Sequence, residues 1–421
     1  MHYDAIVVGG GFSGAMAAMA MAREGLSVLL AEKSGSLGGA ATVNYVLPFM
    51  EYRMTKNKKR IRLNRGLFSE LLDRLNAYHA LDEREVIYNE EYLKLVLDDM
   101  TEHYGVSLLF HACLCEAERD AARVSSLSFM TVAGRLTFSA DYVIDATGDA
   151  TLAHLVGCPY RVGRESDEKC QPMTLCFRLS GVDCDAFFAD LGRLNELWAE
   201  ERRTGIIHNP RENLLVFRHA SEGVLHFNAT RVLSSPLDPF EKSEAERTAR
   251  RQMLEILDFL KRHAPSCQKA TLLSSASEIG VRESRMIKGL YTVTEDDILE
   301  RRKFPDAIAA GNYGVDIHSP DGSGTRRVKM KDGTFYTIPY RATIPCGFDN
   351  LLVVGRAISS THEAQSAYRI MPNVASIGEG AGIALALCHK QGIATHALDL
   401  TLLAEKIDAY DLVEREESYP L

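Results

Sequence analysis

Asp4-Ala5-Ile6-Val7-Val8-Gly9-Gly10-Gly11-Phe12-Ser13-Gly14 is the stretch that decides the fold. Residues 4–9 are short and aliphatic and end in glycine, the pattern of a buried strand. Gly9, Gly11 and Gly14 then satisfy G-x-G-x-x-G. The first glycine permits a tight turn, the second lets backbone approach a pyrophosphate, and the third lets helix and strand pack. Residues 14–24, rich in Ala and Met and stopped by Gly25, predict a helix. Ser27–Ala31 follows as a second strand. Strand, glycine turn, helix and strand in about 30 residues make the βαβ unit of a parallel sheet.

A helix that starts at such a turn aims its free N–H groups and positive dipole end at an anion. Glu32 closes the second strand, where an acid accepts from a ribose 2′-hydroxyl and repels a 2′-phosphate. The unit therefore predicts a dinucleotide site that excludes NADP.

The rest of the chain sets the bounds. Its 421 residues suit two or three domains. With 46% apolar and 25% charged residues it can bury a sizeable core, which excludes intrinsic disorder. The net charge of −9 argues against a nucleic-acid partner. No run reaches the roughly 18 apolar residues that span a bilayer. The first strand starts at once, with no basic leader before it, so the expected compartment is cytoplasmic. Nine cysteines contain no Cys-x-x-Cys pair, so a metal or iron–sulfur framework is not expected. Cys170 and Cys176 could be redox partners, but buried or semi-exposed free thiols are the expectation.

Further along, residues 53–65 carry seven basic side chains and read as a solvated loop. Helices are expected near 66–79 and 89–104, and a strand at Val106–Ala112. A hairpin joins 124–131 to 135–140, and a separate strand covers 141–146. Leu214–His219 and Val224–Val232 alternate apolar and polar residues, as a half-buried antiparallel sheet requires. Ser243-x-x-Glu246 has the form of a capping box opening a helix towards Pro265. Residues 296–345 are loop-rich. Leu351–Gly355 is a late strand, and 372–388 is a Gly/Ala-rich helix. His362-Glu363 lacks the second histidine of H-E-x-x-H, and Ser13 lacks the closing glycine of G-x-S-x-G, so metallohydrolase and serine-hydrolase readings fail.

Three segments choose the dinucleotide: Lys33-Ser34-Gly35-Ser36-Leu37-Gly38-Gly39 after Glu32, Tyr142–Asp149 ending in Ala146-Thr147-Gly148, and Asn350–Arg356 ending in Gly355. With these the chain resembles the glutathione-reductase-type flavoprotein superfamily. More closely it resembles the FAD-dependent oxidoreductase family related to the flavoprotein subunits of fumarate reductase and succinate dehydrogenase. Matching segments also include 163–167, 279–285, 316–318, 338–341 and 355–369, so the resemblance covers nearly the whole chain. It implies an α/β fold. A Rossmann-like FAD-binding domain, with a parallel sheet and β-hairpin crossover, is assembled from 1–160 and 340–400. An inserted α+β substrate domain with an antiparallel sheet covers 161–339, and 401–421 forms a tail.

The cofactor-binding residues expected are Gly9, Gly11, Phe12, Ser13, Gly14, Glu32, Lys33, Gly38, Gly39 and Ala40, then Ala146, Thr147 and Gly148, then Gly355, Arg356, Gly378 and Ala381. Two departures stand out. Related proteins carry Gly-Asp where this chain has Gly355-Arg356, so the ribityl contact must come from elsewhere. The attachment histidine of covalent relatives is missing after Gly39, so FAD is expected to be non-covalent.

Hydride exchange with flavin needs a positioned substrate and a proton-moving group. The expected catalytic residues are His318, His362, Arg282, Arg285 and Arg341, with Tyr313, Tyr340 and Arg369 as further candidates. His318 and His362 could move a proton near pH 7. His362 is either near the flavin ring or hydrogen-bonded within the core. Arg282 and Arg285 either grip an anion or pair with Glu278 or Glu283. The function expected is FAD-dependent hydride transfer to or from a small polar or anionic organic substrate. The alternative is a flavin-binding subunit of a larger electron-transfer or RNA-modifying complex.

Overall fold

The computed structural model describes residues 1–56, 58–322 and 324–414. The N-terminal βαβ unit supplies the middle of a seven-stranded sheet. His2–Val8 runs parallel to Val28–Ala31 on one side and to the inner half of Gly134–Asp145 on the other. Ser107–Leu109 extends the sheet beyond Val28–Ala31, and Leu351–Val353 docks on the far side of Gly134–Asp145, both parallel. The central strands are buried on both faces, which is why they are aliphatic runs without alternation.

Patterning divides residues 135–146 into two strands, but the structure makes one, Gly134–Asp145. Its first half pairs antiparallel with Arg123–Thr131, which pairs in turn with Cys113–Asp120. Its last residues enter the parallel core. No glycine or proline interrupts Ser139-Ala140-Asp141-Tyr142, so the backbone stays extended and only its partner changes.

Helix Phe12–Arg23 crosses helix Met371–Gln391 at close range. A Cβ on Gly378 would lie 2.1 Å from the Ser13 carbonyl oxygen, and one on Gly382 2.5 Å from that of Ala17. Glycine alone permits that approach. Both helices are enclosed on nearly all sides, hence their uniformly apolar composition. Among the described residues Met371–Gln391 is the one helix long and apolar enough to cross a membrane, and it lies inside the molecule.

The middle of the chain forms a four-stranded antiparallel sheet of Val216–Arg218, Leu225–Phe227, Phe177–Ser180 and Thr271–Ser275. Phe177, Phe227, Phe187, Trp198 and Phe259 fill a core shared with helices Cys184–Arg203 and Pro239–His263. The second of these starts before the expected capping box. Asp238 caps it, a proline opens it, and Glu246 instead accepts from the Ile279 N–H. An acidic N-cap followed by proline outweighs an internal Ser-x-x-Glu.

Two further expectations are corrected. The basic stretch folds as a hairpin, Arg53–Lys56 against Lys59–Arg62, with Arg53 and Arg62 both paired to Glu85. The stretch expected as a tail starts inside helix Leu400–Ala409, whose Leu403 and Ile407 enter the core; residues 415–421 lie outside the described residues.

Candidate active site

Val8, Ala31, Asp145 and Val353 end neighbouring parallel strands on the same edge of the sheet. The loops that leave them are the glycine turn, Glu32–Gly39, Ala146–Asp149 and Gly355–Arg356. Ligands of open α/β sheets bind along this carboxyl edge.

The crevice fits a dinucleotide. Gly9 has φ +102°, a conformation that favours glycine, and a Cβ on Gly14 would lie 1.9 Å from the Gly9 carbonyl oxygen. A Cβ on Gly11 would meet nothing within 4 Å, so the space a pyrophosphate needs is open. Helices Phe12–Arg23 and Met371–Gln391 both start without a side-chain cap, leaving their first N–H groups for a ligand. The Glu32 carboxylate accepts from Gly10 N–H at 2.6 Å and Ser34 N–H at 2.7 Å, which fixes it at the rim of the turn. Gly38 and Gly39 pack against Gly11 from the other side.

Several expected cofactor residues serve the walls of the crevice with their side chains. Phe12 points into the core, edge-on to Phe49 at 5.8 Å. The Ser13 hydroxyl donates to the Val374 carbonyl and ties the two crossing helices together. Thr147 donates to buried Asp145, and Lys33 pairs with Glu278 at 2.8 Å. Gly378 and Ala381 lie about two and three turns inside helix Met371–Gln391, both buried, with Gly378 against Ser13. At that helix it is Ile370 and Met371, on the first turn, that reach open space.

They line a cavity of about 760 Å³, walled also by Ala40, Thr174, Asn228 and Arg356. Arg282, Arg369 and His318 line it as well. Arg282 is half-buried and, among the described residues, bonds to neutral groups: the Pro172 carbonyl and Thr174 hydroxyl, both at 2.6 Å, and the Asn228 amide oxygen at 3.2 Å. Burial, together with Arg369 and Arg211, lowers its pKa to about 9. Arg369 reaches only the Gln171 amide oxygen, and its Nε has no partner. Arg211 and Arg231 stand behind, buried; the first is lowered to about 10 by burial and by Arg231, and the second pairs with Glu212.

His318 sits among these four guanidinium groups. Burial, then the charges of Arg282, Arg369, Arg211 and Arg231, hold its pKa well below the usual histidine value. It is therefore neutral at pH 7 and does not titrate there, contrary to the expectation from its residue type. Arg231 Nη2 lies 3.4 Å from Nδ1. The Thr325 hydroxyl lies closer, 3.2 Å from Nδ1, and can donate or accept there. Nearby, burial opposes the ionised Asp316, but Tyr313 and Arg327 bond to it and keep its pKa low.

Other expected catalytic residues lie elsewhere. Arg341 makes a bidentate pair with buried Asp306, and Arg285 stacks over Tyr160 while donating to the Asp149 carbonyl. Neither Arg282 nor Arg285 pairs with Glu278 or Glu283, whose ion-pair partners are Lys33 and His362. Tyr340 is buried and donates to the Thr395 carbonyl. His362 is held by Glu283 at 2.8 Å and faces a second, smaller cavity beside Ile317 and Arg164. Burial raises both the Cys170 and the Cys176 thiol to about 12, which makes them poor redox partners at neutral pH. Arg211 and Arg231 went unnoticed in the sequence, where single arginines between loops and short strands carry no periodic signal.

Fold and crevice together define a dinucleotide-binding protein of Rossmann type. A model of the FAD dependent oxidoreductase family matches residues 4–407, and the chain belongs to that family. Its cofactor is FAD. Thiamine thiazole synthase of Desulfosudis oleivorans is 29% identical over 175 residues, 37% of this chain and 60% of that protein. The match thus spans less than two thirds of that relative's length. Among solved structures, a geranylgeranyl bacteriochlorophyll reductase-like protein of Thermoplasma acidophilum is similar over 97% of this chain and 82% of its own (TM-score 0.45, 14% identity). The p-nitrophenol 4-monooxygenase PnpA of Pseudomonas putida is similar over 99% and 90% (TM-score 0.47, 13% identity).

Proposed function

We propose that this enzyme exchanges a hydride between non-covalently held FAD and a small anionic organic substrate in the cavity of about 760 Å³. FAD supplies the two-electron chemistry, and the protein supplies binding, orientation and charge. The observation that carries the reading is the convergence of Arg282 and Arg369, both without a carboxylate partner, on neutral His318. Guanidinium groups drawn partly out of water and left with neutral partners are costly. An anion entering the cavity compensates them and is gripped by charge-assisted hydrogen bonds. His318 adds a neutral imidazole that can hydrogen-bond an oxygen of the substrate. The unpaired N–H groups at the start of Met371–Gln391 face the same space, where they stabilise negative charge gained by a reduced flavin.

Anaerobic bleaching of the flavin tests this reading across pairs of organic acids and their amides or neutral alcohols. The acids should reduce the flavin and their neutral counterparts should fail or need far higher concentrations. Reduction by neutral compounds alone would overturn the proposal.

A further inference from the structure

The basic stretch 53–65 leaves one guanidinium for the large cavity. Arg53 and Arg62 pair with Glu85, and Arg65 pairs with Asp411 and Glu414. Arg60 is exposed, lines the cavity of about 760 Å³ and has no ion-pair partner among the described residues. Lys329 and Lys331 line the same cavity, are exposed, and likewise have no carboxylate partner among the described residues. The two acids beside them are turned to backbone. Asp332 accepts from the Thr55 N–H at 3.1 Å and the Gly333 N–H at 2.9 Å, and Glu51 from the Arg53 N–H at 3.1 Å. The Thr55–Asp332 bond, with Asn312 Nδ2 on the Arg53 carbonyl at 2.7 Å, ties the basic hairpin to the segment that carries the lysines.

A second hairpin measures how far these cations stand from His318. Val315–His318 pairs antiparallel with Thr325–Val328, with His318 opposite Thr325 and Val315 opposite Val328. It forms a wall of the cavity, which Val315, Asp316 and His318 line from one strand and Arg327 and Val328 from the other. Val328 is three residues beyond Thr325, about 10 Å along a strand, and Lys329 follows it. Arg327, between the two ends, pairs with Asp316 at 2.9 Å. Leu215, Phe217, Val281 and Met330 add apolar lining. We infer, on the anionic-substrate reading above, that the substrate is elongated and carries a second anionic group. Arg282 and Arg369 hold one group beside His318. Arg60, Lys329 and Lys331 hold the other at the rim, roughly 10 Å away or more. The apolar lining suits a hydrocarbon segment between the two charges, and cations at the mouth raise the local concentration of such a ligand.

Titration of the holoenzyme with linear α,ω-dicarboxylates of increasing length, and with monocarboxylates of equal length, tests this through the absorbance of the bound flavin. Short diacids should bind like monoacids. Once the chain is long enough to span both ends, the diacid should bind about three- to tenfold tighter than its monoacid, the size of a few exposed ion pairs. In the triple variant Arg60→Gln, Lys329→Gln, Lys331→Gln that advantage should vanish while FAD content stays parental. Arg282→Gln should weaken diacids and monoacids alike. Monoacids that bind with no gain from a second carboxylate at any length would overturn the rim site and leave the anionic-substrate reading standing. A gain that survives in the triple variant would put the second anion elsewhere and overturn the rim site equally. If no acid bound at all, both readings would fall together.

Discussion

At the scale of single residues, side-chain chemistry was legible in the sequence where the backbone dictates it. The turn at Gly9–Gly14 needs glycine for reasons of space, so its reading did not depend on the remainder of the molecule. Glu32 has a duty that spacing alone did not reveal: its carboxylate holds the Gly10 and Ser34 N–H groups. Glu32→Ala should weaken FAD by about tenfold to a hundredfold, as one charge-assisted contact of roughly 1.5–3 kcal/mol implies; an unchanged dissociation constant would remove Glu32 from the site. The two histidines should now separate. His318→Ala should slow flavin reduction by the true substrate by about a hundredfold or more. His362→Ala should leave that rate near the parental value and lower stability instead, because it strips a partner from the fully buried Glu283. Equal slowing by both would place His362 at the ring after all.

Whole elements were read well when local pattern and tertiary role agreed. The helices at 67–77 and 90–103 and the antiparallel strands near 216–218 and 225–227 lie inside their expected ranges. Strand 134–145 and the cap at Asp238 differed because partner choice and competing caps are settled by packing. Strand Leu225–Phe227 carries a test of its own. His226 is buried with neither ring nitrogen partnered, and burial, then Arg178 and His219, lowers its pKa from 6.5 to about 3. The unfolded chain therefore takes up this proton first. The stability linked to it is complete above about 6.5 and is lost as pH falls towards 3. His226→Leu should flatten the fall of the urea midpoint between pH 6.5 and 4.5, above the range in which Glu90, lowered to about 2, begins to contribute. A slope equal to the parent's over that interval would mean that His226 is already compensated.

For the molecule as a whole, the crevice was legible and the substrate cavity was not. Cofactor loops follow strands in fixed order, whereas the cavity draws Arg282 and Arg369, and behind them Arg211 and Arg231, from four distant points of the chain. Arg285 and Arg341 looked equivalent to Arg282 in sequence, and only the fold turns them towards Asp149 and Asp306. Because FAD binds the folded chain, adding it at about a hundred times its dissociation constant should stabilise the protein by about 2.7 kcal/mol. Differential scanning fluorimetry would show the rise in Tm. Acid precipitation should then leave all the yellow colour in the supernatant, and a coloured pellet would sink the non-covalent reading.

The strand that changes partners also sets the order in which the protein can be made. When Gly134–Asp145 leaves the ribosome, one flank of its inner half has its neighbour, His2–Val8, already synthesised. The other flank waits for Leu351–Val353, about 200 residues later. At about 5–20 residues per second that is roughly 10–40 s of translation. Throughout it, a row of unpaired backbone groups and the apolar side of Phe12–Arg23 that Met371–Gln391 will cover lack their partners. The nascent chain thus carries an unpaired strand edge for that whole interval, and slow codons after the middle of the message would lengthen its exposure.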